Sequence, residues 1–295
     1  MGRIRPTLHG SQLRRATLSL EEKAALAQRH GYPGLDFGLS ETQHVDGGDP
    51  GAVTALLARY NVEPSTVGGL LSSDLLAPDE AFEAAYEVLP QRARALAAVG
   101  ATRSGTVLWN RTVRPKEELW PLLVQRIRRV NAALDGTGVR LGMEFLGVKT
   151  LHPERPYAFI QSMAEANQLL DEAEAGHGGQ GSGAVGLTLD SYHWYAAGDT
   201  LETIRQTPAQ RLVLLHINDA KSGPRELLID SDRLVPGEGV IPLAEWLQAI
   251  DATGFDGFVG MEVLGPRLAE VDAETSALVG IEAWRALATR AGLLQ

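Results

Sequence analysis

The feature that most constrains the fold is a regular alternation of short apolar segments with longer amphipathic ones. The short segments read as β-strands and the longer ones as α-helices, and eight such pairs occur along the 295 residues. Strands are predicted at 3–8, 34–38, 65–71, 101–109, 139–147, 185–190, 211–218 and 257–264. Helices are predicted between them, at 20–29, 49–60, 79–99, 115–134, 157–175, 199–205, 242–253 and 275–291.

This alternation selects among the α/β architectures. Segments such as 185–189 are apolar or small with little alternation, which is typical of parallel strands buried on both faces. Eight β/α units in a chain of this length match the size of a (β/α)8 barrel. No Gly-x-Gly-x-x-Gly sequence follows the first strand, which disfavours an open sheet that binds a dinucleotide. We therefore predict the α/β class, with residues 1–295 forming a single (β/α)8 TIM barrel.

Composition and charge exclude several classes of protein. The chain has no cysteine, which excludes disulfides, thiolate nucleophiles and cysteine-ligated metal sites. Its formal net charge of -10 disfavours binding to the phosphate backbone of a nucleic acid. No apolar run has the length of a membrane span, and the first residues lack the apolar core of a secretion signal. We expect a cytoplasmic protein with neither a nucleic acid nor a membrane as a partner.

Ionisable residues stand at the C-terminal ends of the last four predicted strands. They are Glu144, Asp190, His216 and Glu262. Any one of them could be explained by a salt bridge or a helix cap, but barrel enzymes carry their chemistry at this end of the strands, which favours a shared site. Burying an isolated carboxylate is costly, so four such groups at one barrel mouth need a common partner. We predict that these four residues bind one divalent metal ion. Three carboxylates and one imidazole favour Mn²⁺, Mg²⁺ or Co²⁺ over a structural zinc site.

Two of these residues belong to near-identical segments, GMEFLG at 142–147 and GMEVLG at 260–265. Coincidence and an ancient duplication of barrel halves are two explanations of the similarity. A chemical explanation is that two carboxylates flank a metal-bound carbon, where one removes a proton and the other returns it on the opposite face. On this hypothesis Glu144 and Glu262 are the catalytic pair of an epimerase.

Five segments carry a resemblance to a known family: LGMEFLGVKT (141–150), GLTLDSYHWYAAGDTLE (186–202), LLHINDAK (214–221), DSDRLVPGEGVIPL (230–243) and FVGMEV (258–263). On these segments the chain resembles the xylose isomerase-like TIM barrels, and within them the sugar phosphate isomerase/epimerase group. The resemblance implies that the four residues above bind the metal, usually manganese, with magnesium or cobalt as alternatives. It also implies that Glu144 and Glu262 act as acid and base and that His193 hydrogen-bonds a substrate oxygen.

One position departs from that pattern. Ketose 3-epimerases of this fold place an arginine six residues after the metal-binding histidine, where this chain has Ser222. Arg233, Arg225 or Lys221, all in the long segment after the seventh strand, would be its replacement or else exposed charges. Asp219, at the start of that segment, would either orient His216 or bind a cation in the loop.

Further candidates for substrate binding stand in neighbouring loops. Lys149 follows Glu144 by five residues, and a solvated lysine is the alternative explanation. Trp109 and Trp194 would line a sugar pocket, or else pack at the rim. His9 ends the first predicted strand and is a weaker candidate. The predicted substrate-binding set is His193, Lys149, Trp109, Arg233 and Lys221.

These predictions converge on a metal-dependent isomerase or epimerase of a small sugar, keto-sugar or polyol derivative. Its metal would chelate a carbonyl and the neighbouring hydroxyl and stabilise a cis-enediolate. A metal-dependent lyase that dehydrates a keto-inositol-like substrate is the main alternative. An apurinic-site endonuclease-like phosphodiesterase is less favoured. Such enzymes carry additional histidines for a three-metal cluster, whereas this chain has seven histidines and few of them end predicted strands. Its net negative charge also disfavours DNA as a substrate. A homodimer and a homotetramer are both compatible with the sequence.

Overall fold

A computed structural model describes residues 3–13, 16–175 and 183–294 of the chain. Eight strands form its main sheet. In chain order they are β1 (Ile4–Leu8), β2 (Gly34–Gly38), β3 (Glu63–Gly68), β4 (Arg103–Leu108), β5 (Arg140–Phe145), β6 (Val185–Asp190), β7 (Leu212–Ile217) and β8 (Gly257–Met261).

The sheet curls into a nearly closed barrel of parallel strands. The hydrogen-bonded order is β3-β2-β1-β8-β7-β6-β5-β4, and every adjacent pair is parallel. The two ends of this order, β3 and β4, lie against each other, but the described residues form no hydrogen-bonded ladder between them. With the helices outside, this is the TIM-barrel architecture that the sequence predicts.

Eight helices correspond to the eight that the sequence predicts. They are α1 (Leu20–His30), α2 (Pro50–Arg59), α3 (Asp79–Ala98), α4 (Lys116–Leu134), α5 (Met163–Ala175), α6 (Leu201–Gln206), α7 (Leu243–Thr253) and α8 (Ala273–Arg290). Additional helices that the sequence does not predict occur at Leu39–Thr42, Ser191–Ala197 and Pro266–Ala269, and 3-10 turns at Gly10–Leu13, Asp46–Gly48, Ala209–Arg211, Arg225–Leu227 and Asp230–Asp232. Within the described residues, no helix combines the length and apolar character that crossing a membrane requires.

Local sequence explains where several helices begin and end. Ser19 and Glu22 form a capping box at the start of α1, and Gly31 ends that helix in the left-handed conformation. Asp49 and Asp272 accept hydrogen bonds from the first turns of α2 and α8. These caps satisfy backbone groups that the helix ends would otherwise leave unpaired, so the boundaries agree closely with the predicted ones.

Two stretches differ from the prediction. The predicted helix at 157–175 was wrong at its start, because Tyr157–Ala158 pairs antiparallel with Arg111–Thr112 in a small ribbon outside the barrel, and α5 begins at Met163. The segment between β6 and α6 contains the additional helix Ser191–Ala197. The side chain of Asp190 accepts hydrogen bonds from the first backbone amides of this helix, so a residue that ends a strand also begins a helix.

The long loop after β7 is folded around the side chain of Asp219. Its carboxylate accepts hydrogen bonds of 2.9 Å from the backbone amides of Ala220, Gly237, Gly239 and Ile241. The backbones of Asp219 and Leu234 also pair with each other. Asp219 is buried and serves to close this loop over the barrel mouth. Among the described residues its side chain forms no hydrogen bond with His216.

We predict that Asp219→Ala lowers the free energy of unfolding by about 3 kcal/mol, because it leaves several buried amides without an acceptor. Asp232→Ala is the matched control in the same loop, where a partly exposed carboxylate pairs with Lys221. It should change stability by less than about 1 kcal/mol. Urea denaturation followed by circular dichroism measures both. Equal effects of the two substitutions would contradict this account of the loop.

Candidate active site

The four predicted metal ligands meet at the C-terminal end of the barrel. Glu144 lies in β5, Asp190 ends β6, His216 lies in β7 and Glu262 directly follows β8. Each offers one ligand atom, and these four atoms all lie within 4.8 Å of one another. Glu144 and Asp190 are buried, whereas His216 and Glu262 are partly exposed. The convergence arises because adjacent parallel strands deliver their last side chains to one edge.

His216 lies between the two glutamates. Its Nδ1 atom is 2.9 Å from Oε1 of Glu144 and 3.5 Å from Oε2 of Glu262. Burial lowers the pKa of His216, but the nearby Glu144 and Glu262 outweigh burial and raise that pKa well above its ordinary value. Burial raises the pKa of Glu262, but His216 and Arg233 outweigh it and hold that pKa well below its ordinary value. Both shifts mean that the cluster stabilises a positive charge next to its carboxylates.

Asp190 is held rigidly by both of its carboxylate oxygens. Oδ1 accepts the backbone amides of Tyr192 at 2.8 Å and His193 at 2.9 Å. Oδ2 accepts the side-chain amide of Asn218 at 2.7 Å and the guanidinium of Arg233 at 3.1 Å. Four donors around one carboxylate fix its orientation before any ligand binds, which is the pre-organisation that a binding centre needs.

Arg233 is the main permanent cation of the cluster and is only 2% exposed. Nη1 donates to Asp190 at 3.1 Å and to Glu262 at 2.7 Å. Nη2 donates to Asp230 at 2.7 Å and to Nε2 of His193 at 3.0 Å, and Nε donates to Asp230 at 3.1 Å. These contacts use all five N–H groups of the guanidinium. In the described structure Arg233 therefore holds two predicted metal ligands in place and retains no hydrogen for another acceptor.

The other residues predicted to bind substrate lie in different surroundings. His193 is 1% exposed and joins the cluster through its contact with Arg233. Lys221 is exposed and pairs with Asp232 at 2.8 Å. Lys149 is exposed, with no hydrogen bond or ion pair to the described residues. The structure does not bring Lys221 or Lys149 into contact with the four predicted ligands.

Trp109 lines a separate cavity of about 490 Å³ between the loops that follow β3, β4 and β5. Its Nε1 donates to Asp74 at 3.1 Å, and the guanidinium of Arg155 lies 4.6 Å from the centre of its ring. Trp194 is buried and donates to the carbonyl of Thr200. Among the described residues, neither tryptophan side chain forms a hydrogen bond with the side chains of the four predicted ligands.

Several residues of the site carry no signal that sequence reasoning used. Asn218 stands two positions after His216 in the same extended segment, so its side chain returns to the same side and reaches Asp190. Asp230 lies in the loop three residues before Arg233 and accepts two of its hydrogen bonds. The alternation of side chains along a strand predicts that Asn218 lies on the same side as His216. The position of Asp230 next to Arg233 depends on how the loop folds, which the sequence pattern does not show.

The repeated GME segments also have a packing role. A Cβ atom on Gly147 would overlap the backbone carbonyl oxygen of His193, and one on Gly265 would overlap that of Arg233. The last glycine of each segment therefore allows close approach of the backbone that carries a residue of the cluster. The similarity of the two segments thus reflects both their glutamates and the contacts of their glycines.

The chemistry of this donor set fits a divalent cation. Three carboxylates and an imidazole converge in a largely buried place, with Arg233 as the only arginine or lysine that contacts them among the described residues. Their excess negative charge raises the pKa of His216, so the cluster favours a further positive charge. Oxygen and nitrogen donors of this kind suit Mn²⁺, Mg²⁺, Co²⁺ and Zn²⁺.

Comparisons with known proteins identify relatives of the chain. The family described as "Xylose isomerase-like TIM barrel" matches residues 24–287. A xylose isomerase domain protein from Alicyclobacillus acidocaldarius is 30% identical, with 98% of this chain and 99% of that chain covered and a TM-score of 0.85. The IOLI protein, solved with a bound zinc atom, is 19% identical, covers 97% of this chain and 98% of its own, has a TM-score of 0.78 and shares the fold.

Among curated proteins, the inosose isomerase of Bacillus subtilis (strain 168) is 28% identical over 159 residues. The match covers 54% of this chain and 52% of that relative, so it spans about half the length of each protein.

We predict that Arg233→Ala lowers the free energy of unfolding by about 3–5 kcal/mol, because it leaves buried carboxylates without their cation. Arg225→Ala is the matched control, since Arg225 belongs to the same loop but is exposed and stacks on Tyr195. Its effect should stay below about 1 kcal/mol. Both proteins are compared by urea denaturation in the presence of EDTA. A stability of Arg233→Ala that matches the control would refute the role assigned to Arg233.

Proposed function

The chain belongs to the xylose isomerase-like TIM-barrel family, and we propose that it is a divalent-metal-dependent isomerase or epimerase of a small keto-sugar or keto-polyol. The observation that carries this proposal is the placement of Glu144 and Glu262 on the same imidazole nitrogen of His216, at 2.9 and 3.5 Å. Two carboxylates that close to one point can both reach a single substrate carbon.

Proton transfer is the chemistry that this pair of glutamates supports. A carbon next to a carbonyl can lose a proton to one carboxylate and receive one from the other, which isomerises or inverts the substrate. The lowered pKa of Glu262 keeps its side chain ionised, which is the state in which a carboxylate binds a metal ion and has room for a proton. A divalent cation bound by Glu144, Asp190, His216 and Glu262 would polarise the substrate carbonyl and make the neighbouring C–H more acidic.

The surrounding residues support this chemistry by restricting motion. Arg233 holds the side chains of Asp190 and Glu262, and Asn218 donates to Asp190 at 2.7 Å and to the backbone carbonyl of Glu262 at 3.2 Å. An epimerase benefits from such rigidity, because the reacting groups must stay within a fraction of an ångström of their working positions.

For the substrate class we propose an inosose, a cyclic polyol with one ketone. The support is the similarity to the inosose isomerase of Bacillus subtilis together with the polar side chains that converge in the cluster. In an inosose each carbon beside the ketone carries both a hydroxyl and an acidic hydrogen. For the metal we propose manganese, with magnesium or cobalt as ions that suit the same donors.

The proposed reaction predicts exchange of carbon-bound hydrogen with solvent. The Mn²⁺-loaded protein incubated with an inosose in D₂O should introduce deuterium beside the ketone, as detected by proton NMR and mass spectrometry. Glu144→Gln and Glu262→Gln, each compared at saturating Mn²⁺, should slow the exchange about a hundredfold or more. The exposed Glu154→Gln should leave it unchanged. Full exchange in both glutamine variants would remove the proposed mechanism, and a product lighter by one water would indicate a dehydratase instead.

The proposed metal site predicts one cation per chain. After dialysis against Mn²⁺ and removal of free ions, elemental analysis should find about one equivalent in the unaltered protein. Asp190→Asn retains an acceptor for the cap of helix Ser191–Ala197 but loses the anionic ligand, so its affinity should fall about a hundredfold or more. Asp74→Asn, which alters a carboxylate bonded to Trp109, is the control and should bind normally. Equal Mn²⁺ content in all three proteins at limiting Mn²⁺ would place the ion elsewhere.

A further inference from the structure

We propose that His9 and Asp36 form a hydroxyl-binding subsite that extends the active site across β1 and β2 and selects polyol substrates. This inference rests on the function proposed above and adds the residues that recognise the substrate. Nε2 of His9 and Oδ2 of Asp36 lie 3.5 Å apart, and neither atom has a hydrogen-bond partner among the described residues. A donor and an acceptor at this spacing match a single hydroxyl group, which can accept from one and donate to the other.

The position of His9 connects this pair to the catalytic cluster. The rings of His9 and His216 meet edge to face, with their centres 4.9 Å apart. Ligand atoms of His9, His216 and Glu262 lie within 4.8 Å of one another. In the sheet, β1 is the neighbour of β8, which Glu262 follows, and β2 is the next strand. A small substrate that reaches Glu262 can therefore also reach His9 and Asp36.

The backbone at Gly260 makes room for the His9 ring. A Cβ atom at this position would lie 2.8 Å from Cδ2 of His9, which is too close for an ordinary contact. Gly260 stands two residues before Glu262, so the segment that supplies a catalytic carboxylate also admits the histidine. The ring thus occupies a space that the neighbouring strand leaves open.

The His9 ring is oriented by Ser11. The backbone amide of Ser11 lies 3.2 Å from Nδ1 of His9 and can only donate to it. The hydroxyl of Ser11 lies 2.9 Å from both Nδ1 and the carbonyl oxygen of Met261, and its single hydrogen serves one of them. The proposed subsite uses the tautomer in which Nδ1 accepts from the amide and Nε2 carries the hydrogen. In that tautomer Nε2, which lies 3.5 Å from Oδ2 of Asp36, offers its N–H to a ligand.

Asp36 is a nearly buried carboxylate that no arginine or lysine neutralises among the described residues. It is 7% exposed, and its Oδ1 accepts hydrogen bonds from the hydroxyls of Thr7 and Ser65, which also contact each other. Side chains of the two neighbouring strands, β1 and β3, thus hold one oxygen of this β2 carboxylate, and the other oxygen faces His9. The distance of 3.5 Å from Oδ2 to Nε2 of His9 is long for a hydrogen bond, and a ligand hydroxyl that bonds to both atoms would complete the pairing of this buried carboxylate.

This arrangement favours a neutral, hydroxyl-rich ligand over a phosphorylated one at this position. The carboxylate of Asp36 would repel a phosphate group, whereas a hydroxyl satisfies both open atoms. A ketone oxygen or a bare methylene satisfies at most one of them. The pair thus discriminates a carbinol carbon from its oxidised or deoxygenated counterparts.

The test uses the Mn²⁺-loaded full chain with an inosose as the probe. Asp36→Asn keeps the Oδ1 acceptor for Thr7 and Ser65 but replaces the open acceptor by a donor, and His9→Gln changes the other partner. Each should raise KM about tenfold or more, with kcat changed less than about threefold and Mn²⁺ content unchanged. His44→Gln, at an exposed histidine, is the control. An unaltered KM in both Asp36→Asn and His9→Gln overturns the subsite.

Monodeoxy inososes identify the hydroxyl that the pair binds. One analogue should bind the unaltered protein about tenfold more weakly than the parent inosose and lose no further affinity in Asp36→Asn. If every analogue loses as much affinity in Asp36→Asn as the parent does, the variant acts through general structural damage and the subsite is overturned. This readout stays informative if a substitution also lowers stability, because it compares ligands on the same variant.

Calorimetric binding separates this inference from the proposed function. If the unaltered protein binds the inosose without exchanging its hydrogens, and Asp36→Asn weakens that binding, the isomerase proposal fails while the subsite stands. If hydrogens exchange and Asp36→Asn binds normally, the subsite fails and the isomerase proposal stands. If the unaltered protein does not bind the inosose at all, both are overturned.

Discussion

The structure depends on neutralising three carboxylates that the strands bring together at one end of the barrel. Glu144, Asp190 and Glu262 would repel one another in the absence of cations, and Arg233 supplies a permanent positive charge in contact with two of them. Arg233 reaches this position because Asp219 closes the preceding and following parts of its loop through four backbone amides. The charge balance of the site therefore depends on the position of Arg233 in its loop, and the conformation of that loop depends on the buried side chain of Asp219.

The barrel could be predicted because it follows from periodicity, which is a property of each segment taken alone. Alternating apolar and amphipathic segments placed all eight strands and the longer helices within a few residues. The prediction failed where a distant partner decides the conformation, as at Tyr157–Ala158, which pairs with Arg111–Thr112. It also missed helix Ser191–Ala197, because Asp190 was interpreted only as a strand end and a ligand, although its side chain also caps that helix.

The candidate site was predictable to the extent that its residues end strands. Glu144 and Glu262 were identified by position, and their convergence follows from parallel strands that finish at one edge. The place of Arg233 within a loop of about twenty residues depends on folding that spacing does not reveal. Lys221 belongs to the same loop but points to solvent, so charge and proximity in sequence did not distinguish the two. Asp36 carried no signal, since one carboxylate within a strand resembles an ordinary polar substitution.

The seam between β3 and β4 gives the barrel two mechanically unequal sides. Backbone ladders join the strands that carry Glu144, Asp190 and His216, whereas β3 and β4 lie against each other without a ladder among the described residues. The loops that leave these two strands border the cavity lined by Trp109. Insertions or exchanges in those loops can therefore reshape that cavity without disturbing the hydrogen-bonded strands that position the four converging side chains. Variation of the loops would then concentrate at the seam, while the arrangement of those four side chains is inherited unchanged.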